Sequence, residues 1–375
     1  NLGGGTTASN NPQLNSSGAG TINFTGGTFT SNISNVNVAT VNLTGGTYNY
    51  TPGNGAGASI GNNAGQNVSY TVSGSGTLTC NNNAGSGTGT SCYLAIGNTT
   101  AGFTSTLTVK SGATVNIGTT KAGELQIART ADSNALLDVQ GGILTIGTAL
   151  NTNKIYFCRG GANASTTATM TQSGGTVTAQ GIQFGINTGT YDSGALATLQ
   201  LSGGSLYVGT LGITRGTGAS ALPVAIQLQG GTLGASGAWS SSLDMKLGNT
   251  GGGVTIQAAN SGGAAQNITL SGILSNDGAV NGTLTKTGAG TLTLSNANQF
   301  TGATAVNAGT LVLGNFDAAS TSSSLTIADK AALSLTTTAS TVNNLTFTNS
   351  GTLNFNVAGG GTDLTVSDSN GVTNS

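Results

Sequence analysis

No histidine occurs among the 375 residues of this chain. That absence removes the Ser-His-Asp and Cys-His nucleophile–base pairs, and with them the commonest zinc ligand. The chemistry left to consider rests on 9 Lys and Arg, 10 Asp and Glu, three Cys and seven Tyr. Gly57-Ala58-Ser59-Ile60-Gly61 has the spacing of a nucleophile elbow. With no imidazole to act as base, and with 64 glycines in the chain, it reads as chance. Gly85-Ser86-Gly87-Thr88-Gly89 lacks the lysine and the following helix of a phosphate-binding loop. Polysaccharide cleavage would need carboxylates brought together, often with Lys or Arg beside them. The acids to test are Asp138, Asp244 and the pair Asp363 and Asp368. Asp368-Ser369-Asn370-Gly371 begins like a calcium loop, but Val366 stands where a ligand belongs, so it reads as a polar turn. Whether any of these groups meet depends on the elements that carry them.

Those elements repeat. Ile22-Asn23-Phe24-Thr25-Gly26-Gly27 recurs as Val41-Asn42-Leu43-Thr44-Gly45-Gly46, Leu137-Asp138-Val139-Gln140-Gly141-Gly142, Leu199-Gln200-Leu201-Ser202-Gly203-Gly204 and Ile226-Gln227-Leu228-Gln229-Gly230-Gly231. Looser copies begin at Tyr70, Leu107 and Met170. From Leu107 to Leu137, Met170, Leu199 and Ile226 the steps are about 30 residues, within the range of repeat architectures. Each period holds two further alternating segments, such as Val115-Asn116-Ile117 and Leu125-Gln126-Ile127. Alternation sends one face inward and one outward. Three short strands per coil of about 30 residues predict a parallel β-solenoid. One coil alone cannot bury its Leu, Ile and Val; stacking does so, and closes the backbone hydrogen bonds between coils. The Gly-Gly corners suit tight bends, and the scarcity of proline (3 residues) suits strands that donate on both sides. No window keeps helical spacing, and a sandwich does not predict three strands in fixed order.

The register then tests the chemistry. Asp138 falls in a column with Thr108, Thr171, Gln200 and Gln227. Asp244 falls with Gln126, Tyr156, Gln183 and Gly212, so no acid is expected on another acid. Arg129, Arg159 and Arg215 lie two residues past the last apolar residue of the third strand, in a column interrupted by Ile186 and Leu247. This basic stripe either grips an acidic glycan or a subunit, or is spent on corner carbonyls and a local acid such as Asp132; the interruption favours the second. Tyr156 and Tyr207 are placed outward, as a sugar platform or as ordinary strand surface.

Cys80 and Cys92 bound a polar, Gly-rich excursion in the longest step, from Tyr70 to Leu107. In an oxidising compartment the pair reads as a disulfide closing a surface loop, with two unpaired thiols as the alternative. Cys158 has no partner nearby in sequence and is a free thiol or an intermolecular link.

Only 5% of residues are charged and the formal net charge is −1. That gives no footprint for nucleic acid and little repulsion against self-association. No apolar run approaches the roughly 20 residues of a membrane span. Asn1-Leu2-Gly3-Gly4 reads as a processed end or a cut piece of something longer.

Beyond Gly248 the coils change style. Lys286-Thr287-Gly288-Ala289-Gly290-Thr291-Leu292-Thr293-Leu294, Asn298-Gln299-Phe300-Thr301-Gly302 and Gly309-Thr310-Leu311-Val312-Leu313 closely resemble the autotransporter-associated β-strand repeat. The resemblance implies secretion and a right-handed β-helix at a bacterial cell surface. No translocator barrel is visible, and no closing element precedes Ser375, so either downstream sequence is absent or the chain is not a true autotransporter.

The expectation is therefore an all-β, right-handed parallel β-helix running as one continuous solenoid over residues 1–375. Coils are less regular over 1–104, regular over 105–248 and autotransporter-repeat-like over 249–375. A non-catalytic surface role follows, as stalk, adhesin passenger or filament subunit, with end-to-end self-association through coil edges. A glycan-binding module is the alternative, and a polysaccharide lyase or hydrolase a more distant one. No cofactor or metal site is expected.

Overall fold

The computed structural model describes residues 6–9, 19–31, 35–51, 57–61, 65–81, 92–98, 102–119, 122–147, 153–186, 188–315, 317–336, 340–355, 364–366 and 373–374. The acids Asp363 and Asp368 lie outside these. The chain is a parallel β-helix. It divides into two compact units, residues 1–200 with 214–225, and residues 201–213 with 226–375.

In the first unit, strands stack in three parallel ladders. The first joins Val68–Val72, Thr104–Val109, Asn134–Val139 and Thr167–Gln172. The second joins Thr77–Cys80, Thr114–Ile117, Ile143–Ile146 and the start of Thr176–Phe184. The third joins Gly57–Ile60, Cys92–Ile96, Gly123–Ile127, Lys154–Phe157 and the end of Thr176–Phe184. Ahead of them Thr21–Ser31 pairs with Thr40–Tyr50, which then divides between the first two ladders. Alternation and period together place the core. Val41, Tyr70, Leu107, Leu137 and Met170 are in register one coil after another, and each is fully buried.

Two kinds of corner turn the chain. Gly142 ends a Gly-Gly pair at φ 70°. A Cβ there would stand 2.5 Å from the Ala113 carbonyl oxygen, so backbone approach as well as φ requires glycine. The other corner follows the third ladder, where Gly61, Gly97, Ala128, Cys158 and Gly185 all have φ between 54° and 73°. Ala128 and Cys158 thus hold a left-handed conformation that costs an L residue about 1 kcal/mol. Cys158 is fully buried at this bend. Burial pushes its thiol up to about 12.

The second unit keeps the parallel stacking but changes its step. One inward column runs Leu206, Leu233, Ile256, Lys286, Val306, Ile327 and Phe347. From Ile256 to Lys286 the step is 30 residues; from Lys286 to Val306 it is 20, and the next two are 21 and 20. A second ladder runs Trp239–Ser241, Ile268–Leu270, Thr291–Leu294, Thr310–Leu313, Ala332–Leu335 and Thr352–Phe355. A third is short: Gln227 pairs with Lys246, and Met245–Leu247 with Leu274–Asn276. In the first of these columns the two steps before Ile256 are 27 residues (Leu206 to Leu233) and 23 (Leu233 to Ile256), so the coil length varies ahead of residue 284 and stays near 20 beyond it.

Candidate functional site

Charge is so scarce that a cluster of it stands out. On the third ladder of the first unit the outward rows are Gly57, Tyr93, Glu124 and Ser59, Ala95, Gln126, Tyr156, Gln183. Alternation predicts that these face solvent, yet Ser59, Ala95, Glu124 and Gln126 are all buried. Glycine at 57 leaves room for the Tyr93 ring, which would collide with any Cβ there. The Arg129 guanidinium lies 4.4 Å from the centre of that ring, close enough for a cation–π contact.

One coil on, Arg159 Nε lies 2.8 Å from Glu124 Oε2 and its guanidinium 5.3 Å from the Tyr156 ring centre. Gln126 donates to the same Glu124 oxygen at 2.7 Å. Lys154 donates to Gln183 at 2.6 Å, and partial burial lowers its ammonium below the usual lysine range. Burial raises the Tyr156 phenol, helped by the Glu124 charge and opposed by Arg159.

The predicted basic stripe is partly assembled. Arg129 and Arg159 occupy neighbouring coils, the N–H of Gly160 donating to the Arg129 carbonyl at 2.7 Å. Arg215 is displaced. The N–H of Gly216 reaches the Phe184 carbonyl, where Gly185 reaches Phe157 and Cys158 reaches Ile127. Arg215 therefore stands level with Phe184, two residues short of the column, and its Nη1 donates to the Ser220 carbonyl at 3.4 Å. The acid beside Arg159 is Glu124 and not Asp132, which accepts from Ser165 and Asn163. Those two bonds hold Asp132 below the usual carboxylate range.

The other predicted residues are dispersed. Asp138 pairs in register with Thr108 and Thr171, as the sequence column requires, and accepts from Thr171 at 2.8 Å and Gln140 at 2.6 Å. Asp244 is not in the expected row. Its strand begins at Met245 and puts Lys246 beside Gln227, while Asp244 accepts the Ile273 N–H at 2.8 Å. Tyr207 keeps its outward row, in register with Gly234, but is buried there with its ring against Gly234. In the second unit a groove of about 590 Å³ is lined by Gln229, Asn249, Thr250, Asp277 and Asn281. Its carboxylate, Asp277, is already held by Gln229 at 2.8 Å and Gln227 at 3.4 Å. Among the described residues no three Cys, Asp or Glu gather in a way that could hold a metal ion.

The motif over residues 284–313 has its own geometry. Lys286 is fully buried and donates to the carbonyls of Thr287 at 3.1 Å, Gly288 at 2.7 Å and Ala308 at 2.7 Å. Burial lowers its ammonium to about 8. Asn298, also buried, accepts the Leu274 N–H at 2.8 Å and donates to the Ala318 carbonyl at 2.7 Å. Gln299 N–H reaches the Leu274 carbonyl at 2.7 Å, and the Phe300 ring beside it is wholly buried. Side-chain-to-backbone bonds and one aromatic ring thus replace the strand that the shortened coil no longer has. Sequence reasoning missed Glu124, Lys154 and Tyr93; an outward acid one coil before Arg159 was the available signal.

The family model described as the passenger-associated-transport-repeat matches residues 284–313, the segment whose buried lysine, asparagine and phenylalanine close the short coil. No curated protein and no solved structure matches the chain significantly. The chain carries a repeat of the autotransporter-passenger type. No helix is long and apolar enough to cross a membrane among the described residues.

Proposed function

We propose that this chain is a non-catalytic structural or adhesive protein of a bacterial cell surface, working as a stalk, passenger or filament-forming subunit. The observation that carries the reading is where the scarce charged groups are used. Lys286 holds corner carbonyls, Glu124 holds Arg159, and Asp132, Asp138, Asp244 and Asp277 each accept hydrogen bonds from the chain's own coils. A catalytic site requires convergent groups left ready for substrate; these are committed to the scaffold. The passenger-type repeat supports export to the surface. Electron microscopy of concentrated protein is expected to show rods joined end to end. Isolated short particles at every concentration, or polysaccharide cleavage lost on changing Asp138 or Asp277, would overturn the reading.

Arg129 favours a second use. It touches the Tyr93 ring, and among the described residues the one ion pair is that of Arg159 with Glu124. Its guanidinium thus has donors to offer an acidic glycan. A glycan array is expected to show binding to acidic sugars that Arg129→Ala weakens; binding unchanged by that substitution dismisses it.

A further inference from the structure

The two cysteines nearest in sequence meet in the wall of the first unit. Cys80 ends the strand Thr77–Cys80 in an inward column between Tyr50 and Ile117. Cys92 opens the strand Cys92–Ile96, in register with Gly123. Both side chains are fully buried, and all three cysteines are thiols in the structure. The contacts are reciprocal. Cys92 Sγ donates to the Cys80 carbonyl at 3.3 Å, and Cys80 Sγ to the Tyr93 carbonyl at 3.6 Å. The thiols also bond to each other.

Their place in the coil is what gives the contact meaning. In each coil the chain must cross from the second ladder to the third. The next coil crosses from Ile117 to Gly123 and the one after from Ile146 to Lys154. Further on, a single strand, Thr176–Phe184, spans both ladders without a break. The crossing from Cys80 to Cys92 is the longest of these, and a cysteine stands at each foot. A crosslink there would hold the two strand ends together whatever the intervening chain does, and would shrink the unfolded ensemble by closing the loop.

We infer that Cys80 and Cys92 form a disulfide that closes the foot of this crossing. The inference rests on the surface reading only for where an oxidant would be met in the cell. In the reaction, the thiolate of one cysteine attacks the disulfide of an oxidant, either a disulfide-bonded oxidase or oxidised glutathione. The other cysteine then displaces the mixed disulfide. Two thiols lose two protons and two electrons, one S–S bond forms, and the oxidant's disulfide is reduced to two thiols. The hydrogen bond that Cys80 makes to Cys92, together with burial, raises the Cys80 thiol well above its ordinary range, so thiolate is scarce in the folded coil. Cys158 stays reduced, buried at its own corner.

The test refolds the full chain with oxidised glutathione, which separates the chemistry from any question of export. No Lys or Arg precedes Lys110, so one tryptic peptide ending there carries both cysteines. Without reduction that peptide is expected two hydrogens lighter than after reduction, with one thiol titrating in denaturant. The oxidised protein is expected to melt several degrees above the reduced one, a difference that Cys80→Ser with Cys92→Ser abolishes. If the double variant fails to fold, the wild-type comparison still decides. Three titrating thiols before reduction, or a peptide joined through Cys158, would overturn the inference.

Discussion

Lys286 donates its ammonium to the carbonyl oxygen of Ala308 at 2.7 Å, from inside a column in which its own neighbours are Ile256 and Val306. A lysine in a dry column is tolerated because three carbonyls surround the charge and the stem fills apolar space. It also stands where the coil step falls from 30 residues to 20. Replacing it with methionine keeps the stem and leaves the carbonyls unpaired, which should cost about 2–4 kcal/mol. Denaturant titration of Lys286→Met against wild type measures this.

The same lysine predicts an alkaline rise in stability. Its folded pKa, about 8, lies below the ordinary 10.5. Below pH 8 both states hold the proton and nothing changes. Between pH 8 and 10.5 the unfolded chain still binds a proton that the folded chain has lost, so stability climbs with pH. The buried phenols act oppositely. Tyr48 is raised by burial to about 12, and Tyr50 and Tyr70 well above 10.0, so their contribution is lost as the unfolded chain ionises above pH 10. The unfolded Cys158 thiol ionises above pH 9 while the folded one, pushed up to about 12, does not, so it offsets the lysine from there on. The denaturation midpoint should therefore rise from pH 7.5 to about 9, level off and fall above pH 10, and Lys286→Met should remove the rise.

Glu124 and Arg159 should behave as a coupled pair. Their side chains are 10% and 36% exposed, so solvent screens the attraction only in part. A double-mutant cycle with Glu124→Gln and Arg159→Ala should return about 1 kcal/mol of coupling. Arg129→Ala should show no coupling to Glu124.

Close packing of coils makes some glycines irreplaceable. A Cβ on Gly302 would stand 2.3 Å from the Gly282 carbonyl oxygen, whereas one on Gly262 would meet nothing nearer than 3.4 Å. Gly302→Ala should cost about 2 kcal/mol or more through forced backbone separation, and Gly262→Ala less than about 0.5 kcal/mol. Thermal melts of the two variants check the contrast.

The column Leu107, Leu137 and Met170 was legible in the sequence because two signals coincide there: alternation says which residues turn inward, and the recurring glycines say where each coil restarts. Asp138 was placed between Thr108 and Thr171 for the same reason. Arg215 was misplaced because counting onward from the last apolar residue assumes that every strand ends at the same point, and here the pairing slips by two. Asp244 failed likewise, its strand starting at Met245, on a different ladder. The burial of Glu124 was not legible because alternation distinguishes only inside from outside, and cannot show that an outward row is itself covered. Lys286 looked like a motif letter. Only the pairing of its neighbours reveals a charge in the core, at the point where the coil contracts.

The stacking of equivalent strands is most directly tested by distance. Thr104 and Thr167 are exposed, and each pairs with Asn134 from opposite sides. Spin labels at these two positions, in a protein whose own cysteines are buried, report the separation of two coil steps by dipolar broadening. Two strand spacings put the labelled backbones about 10 Å apart, and strong broadening is the expected result. A separation beyond about 20 Å is incompatible with two strand spacings and would contradict the parallel β-helix.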